Sequence, residues 1–279
     1  MDQPLPTYTL QVQLLGTGYN KMIIGPGTTI GPGVTVTQQF SYVTTSAVLV
    51  YNLDFSKFTS LPTNGVSKDA TGNYTLSVGN TGTNAMIWNS ANGGVLRFTT
   101  ATQIALAANM PYIYGGPNYT TAAQSYTVFM VYKPNTTGAI GRLLNTQSEA
   151  INDWLMGTYA SGSNYQNVYF PNGTVNLTSD VADNNWHFIW GTWNATTGNL
   201  YLYIATNTAP AAVYKSSLGQ ATGQANNSSR GFNQLRLFSR AASTEQQGAD
   251  VGLIQVYNGE LSLTDIQTLW TQYKTRFGY

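Results

Sequence analysis

The sequence predicts an all-β sandwich with a short β-rich N-terminal arm and one C-terminal helix. Three observations predict it. From about residue 47 onward, short apolar runs alternate with clusters of Gly, Asn, Thr and Pro, the spacing of strands and turns in a sandwich. Helical periodicity is nearly absent until Ile266, Leu269, Trp270 and Tyr273 recur at helical spacing. Of the 279 residues 42% are hydrophobic, enough for a large core in a length that β-sandwiches reach undivided.

The arm is assigned to residues 1–45 and the sandwich to residues 46–279. In the arm, Ile24-Gly25-Pro26-Gly27-Thr28-Thr29 is followed by Ile30-Gly31-Pro32-Gly33-Val34-Thr35-Val36. This is a six-residue repeat in which Ile24, Ile30 and Val36 share a phase and Gly-Pro-Gly marks each turn. Two copies are too few for a free-standing solenoid. They read either as two tight turns in a hairpin or as an arm whose edges pair with a neighbouring subunit. On the second reading the assembly residues are Ile24, Pro26, Ile30, Pro32, Val34 and Val36.

In the sandwich, Tyr126 to Tyr132 is a strand, with Val128 and Met130 on one face and Phe129 and Val131 on the other. Apolar residues on both faces mark a central strand. Trp186 to Trp193 and Leu200 to Ile204 form a hairpin across Asn194-Ala195-Thr196-Thr197-Gly198-Asn199, a run of turn formers. Leu235 to Leu237 and Val251 to Tyr257 are further strands. The helix opens on Ser262-Leu263-Thr264-Asp265, a capping-box pattern. Lys274 and Arg276 fall near its end, where the dipole favours cations, and Gly278 stops it.

Charge excludes several functions. Only 8% of residues are charged, twelve Lys and Arg against eleven Asp and Glu, where an ordinary domain has about 25%. No basic cluster exists to neutralise phosphates, so no nucleic-acid partner is expected. With no cysteine, disulfides and thiolate metal sites are ruled out. Met1-Asp2-Gln3-Pro4-Leu5-Pro6 carries no basic region followed by an apolar run, so no secretory signal is read, although a processed chain would have lost one. No apolar run is long enough for a membrane span, and no membrane insertion is expected.

Five segments, in order, resemble concanavalin A-like (laminin G-like) domains, particularly those of phage and other virion proteins. They are Ala47 to Asp54, the small-residue turn Asn92-Gly93-Gly94 leading into Val95 to Phe98, and Ser125 to Pro134 ending in Lys-Pro. The Trp186-His187 strand with its returning hairpin to Tyr203, and Val251 to Ser262 followed by the helix, complete the set. The resemblance covers roughly residues 47 to 279 and implies a concanavalin A-like jelly-roll sandwich. That fold hosts lectins, hydrolases, adhesion modules and structural parts alike.

Hydrolases of this fold carry paired carboxylates on one strand, an acid and a nucleophile roughly 5 Å apart. Here none of Glu149, Glu245 and Glu260 has a carboxylate two residues away. Glu149 and Asp153 are four apart, in a segment that reads as a loop, so no catalytic residue is assigned. His187, the one histidine, reads as a packed strand residue at the family's Trp-His position. Zinc lacks its ligands. Calcium, which many laminin G domains hold, has its candidates in Asp153, Asp180 and Asp183; the last two lie in an oxygen-rich turn that reads first as a solvated one and only second as a calcium site. No other cofactor is expected.

Aromatic residues are numerous, with 19 Tyr, 10 Phe and 6 Trp. Those read as loop residues are the informative ones, because sugars bind by stacking on exposed rings. Tyr112 and Tyr114 lie in one Pro/Gly-rich stretch, and Trp154, Tyr159 and Tyr165 in another. They are candidates for a glycan platform, with loop anchoring or subunit contact as the alternative. Asn-x-Ser/Thr triplets, at Asn194 for example, are not read as glycosylated.

The resemblance, the low-charge polar surface, the missing signal and the arm together imply a structural protein of a virion exterior: a capsid decoration protein, tail fibre or spike subunit. It is expected to be a homo-oligomer, with a trimer first, that contacts other virion proteins and host-surface glycans. The alternative is an extracellular carbohydrate-binding adhesion module. A glycoside hydrolase comes third, and no enzymatic activity is expected.

Overall fold

The strand at the centre of the sequence reading is also at the centre of the structure. The computed structural model describes residues 47–63, 67–70, 72, 77–79, 86–98, 103–106, 113–114, 125–134, 142–146, 154–158, 165–169, 173–177, 184–194, 196–197, 199–217, 231–232, 235–237 and 248–279. By its contacts the chain divides into Met1–Thr44 and Thr45–Tyr279. The arm residues Ile24 to Val36 lie outside the described residues.

The strands in chain order are β1 (Val48–Asp54), β2 (Ser77–Gly79), β3 (Ile87–Asn89), β4 (Val95–Phe98), β5 (Gln103–Leu106) and β6 (Ile113–Tyr114). Next come β7 (Tyr126–Pro134), β8 (Arg142–Thr146), β9 (Trp154–Thr158), β10 (Tyr165–Tyr169), β11 (Gly173–Leu177) and β12 (His187–Trp193). Then follow β13 (Asn199–Ala205), β14 (Ala211–Ser217), β15 (Gly231–Phe232), β16 (Leu235–Leu237), β17 (Ala249–Asn258) and the helix α1 (Leu263–Tyr273). The large sheet has the order β14-β13-β12-β7-β17-β4-β3, and β1 also pairs with β17. A second sheet has the order β11-β10-β9-β8-β16-β5-β2, and β15 pairs with β6. All of these pairings are antiparallel. The predicted all-β sandwich with one C-terminal helix is what forms.

Alternation along β7 sends its side chains into two different cores. Tyr126, Val128, Met130 and Tyr132 join Tyr51, Ile189, Trp193, Val251 and Ile254 of the large sheet and Leu144, Met156 and Leu237 of the second sheet, all buried. Each such side chain contributes about 1.5–3 kcal/mol by leaving water. Phe129 points the other way. It stacks on Trp190 at 4.6 Å between centroids and meets Tyr273 of α1 at 6.1 Å.

The helix therefore covers the outer face of the large sheet. Its buried residues are Ile266, Leu269, Trp270 and Tyr273, and its capping box, Ser262 with Asp265, forms as the pattern predicts. Gln255, fully buried on that face, donates to Asn52 Oδ1 at 3.2 Å and to the Tyr273 hydroxyl at 3.1 Å, and accepts from the Tyr257 hydroxyl at 2.9 Å. A buried amide satisfied on three sides sets one orientation of helix on sheet.

The chain end differs in detail from the expectation. The α-helix stops at Tyr273, and Lys274–Phe277 continue as a 3-10 turn closed by Gly278 at φ 89°. Arg276 serves the sheet and its loops rather than the helix dipole. Its guanidinium donates to Asp54 Oδ1 at 2.8 Å and to the carbonyls of Asn92 at 2.7 Å, Gly94 at 2.8 Å and Gly252 at 3.1 Å. Gly252 marks the register break where β17 passes from β4 to β1. A Cβ there would stand 2.3 Å from the Phe277 ring, so only glycine lets the chain end seat.

Candidate functional site

Of the five aromatic residues named as loop candidates, the three that are described lie on strands. Trp154 and Tyr165 are strand residues, at the heads of β9 and β10, and Tyr114 lies in β6 opposite Gly231. The correction has a local reason. Trp-Leu-Met-Gly-Thr and Tyr-Gln-Asn-Val-Tyr are rich in aromatic and β-branched residues that suit a pleated sheet, although their polar positions read as loop. Trp154 pairs with Tyr169 and Tyr165 with Thr158. Met156, at the middle of β9, is fully buried. Tyr112, Tyr159, Asp180, Asp183, Glu149 and Asp153 lie outside the described residues. His187 is buried on β12, its ring 5.6 Å from that of Tyr132. Among the described residues no cluster of three His, Cys, Asp or Glu could hold a metal ion, and no helix is long and apolar enough to cross a membrane.

A different constellation forms where the β12–β13 hairpin meets the turn between β17 and α1. Asn194 ends the hairpin's first strand. Its Oδ1 accepts from the backbone N–H groups of Thr196 at 2.9 Å and Thr197 at 2.8 Å, an Asx turn. Its Nδ2 is then directed at Glu260 Oε2 and donates to it. Both ends of the Asn194 amide are thus engaged in the turn.

Glu260 is held by its neighbours. Gly259, at φ 131°, donates its N–H to the Ser125 carbonyl at 2.7 Å, and its own carbonyl accepts from Thr127 Oγ1 at 3.1 Å. Leu261 N–H donates to the same Thr127 hydroxyl at 2.9 Å. The backbone on either side of Glu260 is thus held by the Thr127 hydroxyl of β7 and by the Ser125 carbonyl just before that strand. On β13, Tyr203 lies within the electrostatic reach of Glu260, and the Tyr201 ring stacks on that of Tyr203 at 5.9 Å. Tyr203 is buried, while Tyr201, Asn194 and Glu260 are each half-buried. Thr192, which pairs with both Thr127 and Tyr201 in register, buries an Oγ1 that has no partner among the described residues.

The electrostatics set Glu260 apart. Burial pushes its carboxyl above the usual carboxylate range, and the Asn194 hydrogen bond draws it part of the way back. Burial, then the negative charge of Glu260, then Tyr201, push the Tyr203 phenol up to about 12. The other described side-chain carboxylates each have a cation or a backbone N–H. Asp54 has Arg276 and Ser56 N–H, Asp250 has Arg97, Asp69 has Asn52 N–H, and Asp265 has Ser262 N–H. Glu260 has one neutral amide. A partly desolvated and under-matched charge beside aromatic rings is a common sign of a binding or catalytic position.

Sequence reasoning missed this cluster. Asn194 and Glu260 lie 66 residues apart, and no local motif joins them. The signals available were the turn formers after Trp193 and the glycine before Glu260, both of which read as ordinary turns.

No protein-family model matches the chain, and no curated protein sequence does either. Solved structures do match in fold. The binding domain of botulinum neurotoxin DC, solved with SialylT, superimposes with a TM-score of 0.56 at 13% identity, over 81% of this chain and 51% of that one. Domain 4 of AbnA, an extracellular GH43 arabinanase from Geobacillus stearothermophilus solved with arabinotriose, gives 0.52 at 12% identity, over 80% of this chain and 98% of that domain. The serotype D ligand-binding domain, solved with N-acetylneuraminic acid, gives 0.53 at 12% identity over 80% and 50%. The chain thus spans about half the length of the neurotoxin domains and nearly all of the arabinanase domain. At these identities the likeness is one of fold.

Proposed function

We propose that residues 46–279 form a carbohydrate-binding domain that holds its ligand without transforming it. The observation that carries this reading is the match to a whole domain solved with arabinotriose, which this chain covers over 98% of its length. The neurotoxin domains of similar fold, solved with N-acetylneuraminic acid and SialylT, point the same way. A half-exposed tyrosine beside a carboxylate and an amide is the mixture of ring and polar groups by which proteins orient sugars. The test is a glycan array probed with the full chain, followed by calorimetry on the strongest hits. Selective binding that Trp154→Ala or Tyr201→Ala weakens, with the fold intact by circular dichroism, supports the reading. A uniformly blank array at high protein concentration overturns it.

A second reading is favoured by the Gly-Pro-Gly repeat between Ile24 and Val36 and by the resemblance to virion proteins. The chain is then a subunit of a virion exterior, a homo-oligomer assembled through residues 1–45, whose sandwich displays the sugar site outward. Light scattering on the full chain and on a chain starting at Ser46 tests it. An oligomer that falls to monomer on truncation supports the arm as the assembly element, and two monomers refute it.

A further inference from the structure

We propose that Glu260, Asn194 and Tyr201 form a subsite for a neutral saccharide at the hairpin end of the large sheet. This rests on the carbohydrate-binding reading and adds a place and a class of sugar to it. Three features carry it.

Chemistry comes first. An ionised carboxylate only accepts hydrogen bonds, and its two oxygens suit a pair of O–H donors such as the vicinal hydroxyls of a sugar ring. Oε2 of Glu260 is engaged by Asn194, whereas Oε1 has no hydrogen-bond partner among the described residues. Asn194 Nδ2 carries a second N–H, a donor for a ring or hydroxyl oxygen on the same ligand. Tyr201 supplies a half-buried ring, and the buried Tyr203 stacked 5.9 Å behind it fixes that ring's plane. Sugars use their C–H faces on such rings and their hydroxyls on such polar pairs.

Preorganisation is the second feature. Glu260 is clamped on both sides by the Thr127 hydroxyl, through the Gly259 carbonyl and the Leu261 N–H. Asn194 is clamped by two backbone N–H donors. The backbone under Glu260 is fixed and its side chain is tied to Asn194, so less freedom is lost when a ligand arrives, which favours binding.

Charge is the third, and it selects the class. No ion pair from a cation reaches Glu260 among the described residues. A sugar carboxylate placed here would meet another carboxylate in a partly desolvated setting, a like-charge juxtaposition that disfavours acidic sugars. Neutral sugars meet no such penalty.

The deciding experiment uses the full chain and a glycan array printed with neutral oligosaccharides and their sialylated counterparts. Wild type, Tyr201→Ala, Tyr201→Phe, Glu260→Gln and Trp154→Ala are compared, with thermal melts as the control for folding. The expected result is wild-type binding to neutral members. Tyr201→Ala and Glu260→Gln should weaken it by roughly tenfold or more, while Tyr201→Phe keeps most of it because the ring remains. Wild-type binding that both substitutions leave unchanged overturns the subsite while sparing the carbohydrate reading, and loss confined to Trp154→Ala does the same. Preference for the sialylated members would overturn the neutral class. No glycan binding by wild type removes the broader reading and the subsite with it.

Discussion

The segment from Gly259 to Tyr279 is fastened to the large sheet at both ends, and the two fastenings are opposites. At the chain end, the Arg276 guanidinium is matched by a carboxylate and three carbonyls drawn from three separate parts of the chain. At the start, the Glu260 carboxyl meets a single neutral amide. A charge buried to hold a fold is stable only when its hydrogen bonds are all answered. The Arg276 end meets that condition. The Glu260 end is half-buried, and its second oxygen, with no protein partner among the described residues, is left to water or to a ligand hydroxyl.

Removing the matched charge should have the largest effect. Arg276→Ala strands Asp54 and loosens the chain end from Gly252, and it should lower the unfolding free energy by about 3 kcal/mol in urea titrations. Arg97→Ala, in an ion pair whose arginine is 44% exposed, should cost less than about 1 kcal/mol. Equal losses from the two would show that Arg276 is no more buried energetically than a surface residue.

The next effect lies between the two ends. Ser262 caps α1 through Asp265 N–H at 3.2 Å, and Asp265 returns a bond to Ser262 N–H at 3.0 Å. Ser262→Ala should lower stability by about 1 kcal/mol, measured the same way. A neutral outcome would mean that packing of Ile266, Leu269 and Trp270 alone holds the helix start.

The smallest effect is the most diagnostic. The Glu260 carboxyl titrates above its ordinary range when folded, so the folded state binds its proton more tightly than the unfolded chain does. Its contribution to stability is whole below the unfolded value, and it is lost as pH rises through the folded value. Glu260→Gln removes the titration. The variant should match wild type near about pH 4 and gain on it toward about pH 8, read as the difference of urea midpoints across pH. A gap that is flat or shrinks would show a carboxylate better matched than its one amide implies.

Much of the fold was legible because its signals are local. Turn formers between Trp193 and Leu200 announced the β12–β13 hairpin, and Ser262 with Asp265 announced the start of α1. Strands β9 and β10 were illegible for a physical reason. Each has five residues with polar positions mixed in, and a run that short becomes a strand only when its neighbours supply the hydrogen bonds. The candidate site was less legible still. Trp154 and Tyr165 stood out by composition, while the residues that the structure groups, Asn194, Tyr201, Tyr203 and Glu260, each had an ordinary local role.

What the sequence determined by itself was the inventory: an all-β sandwich, a strand at Tyr126 to Tyr132 apolar on both faces, a capped C-terminal helix, and a surface with little charge. Those properties follow from periodicity, turn chemistry and composition, which act over a few residues. Only the tertiary structure decided which charges are answered. Arg276 meets Asp54 across 222 residues and Glu260 meets Asn194 across 66. Such pairings depend on strand order and register, and no short stretch of sequence encodes them because long-range contacts arise only once the sheet has closed.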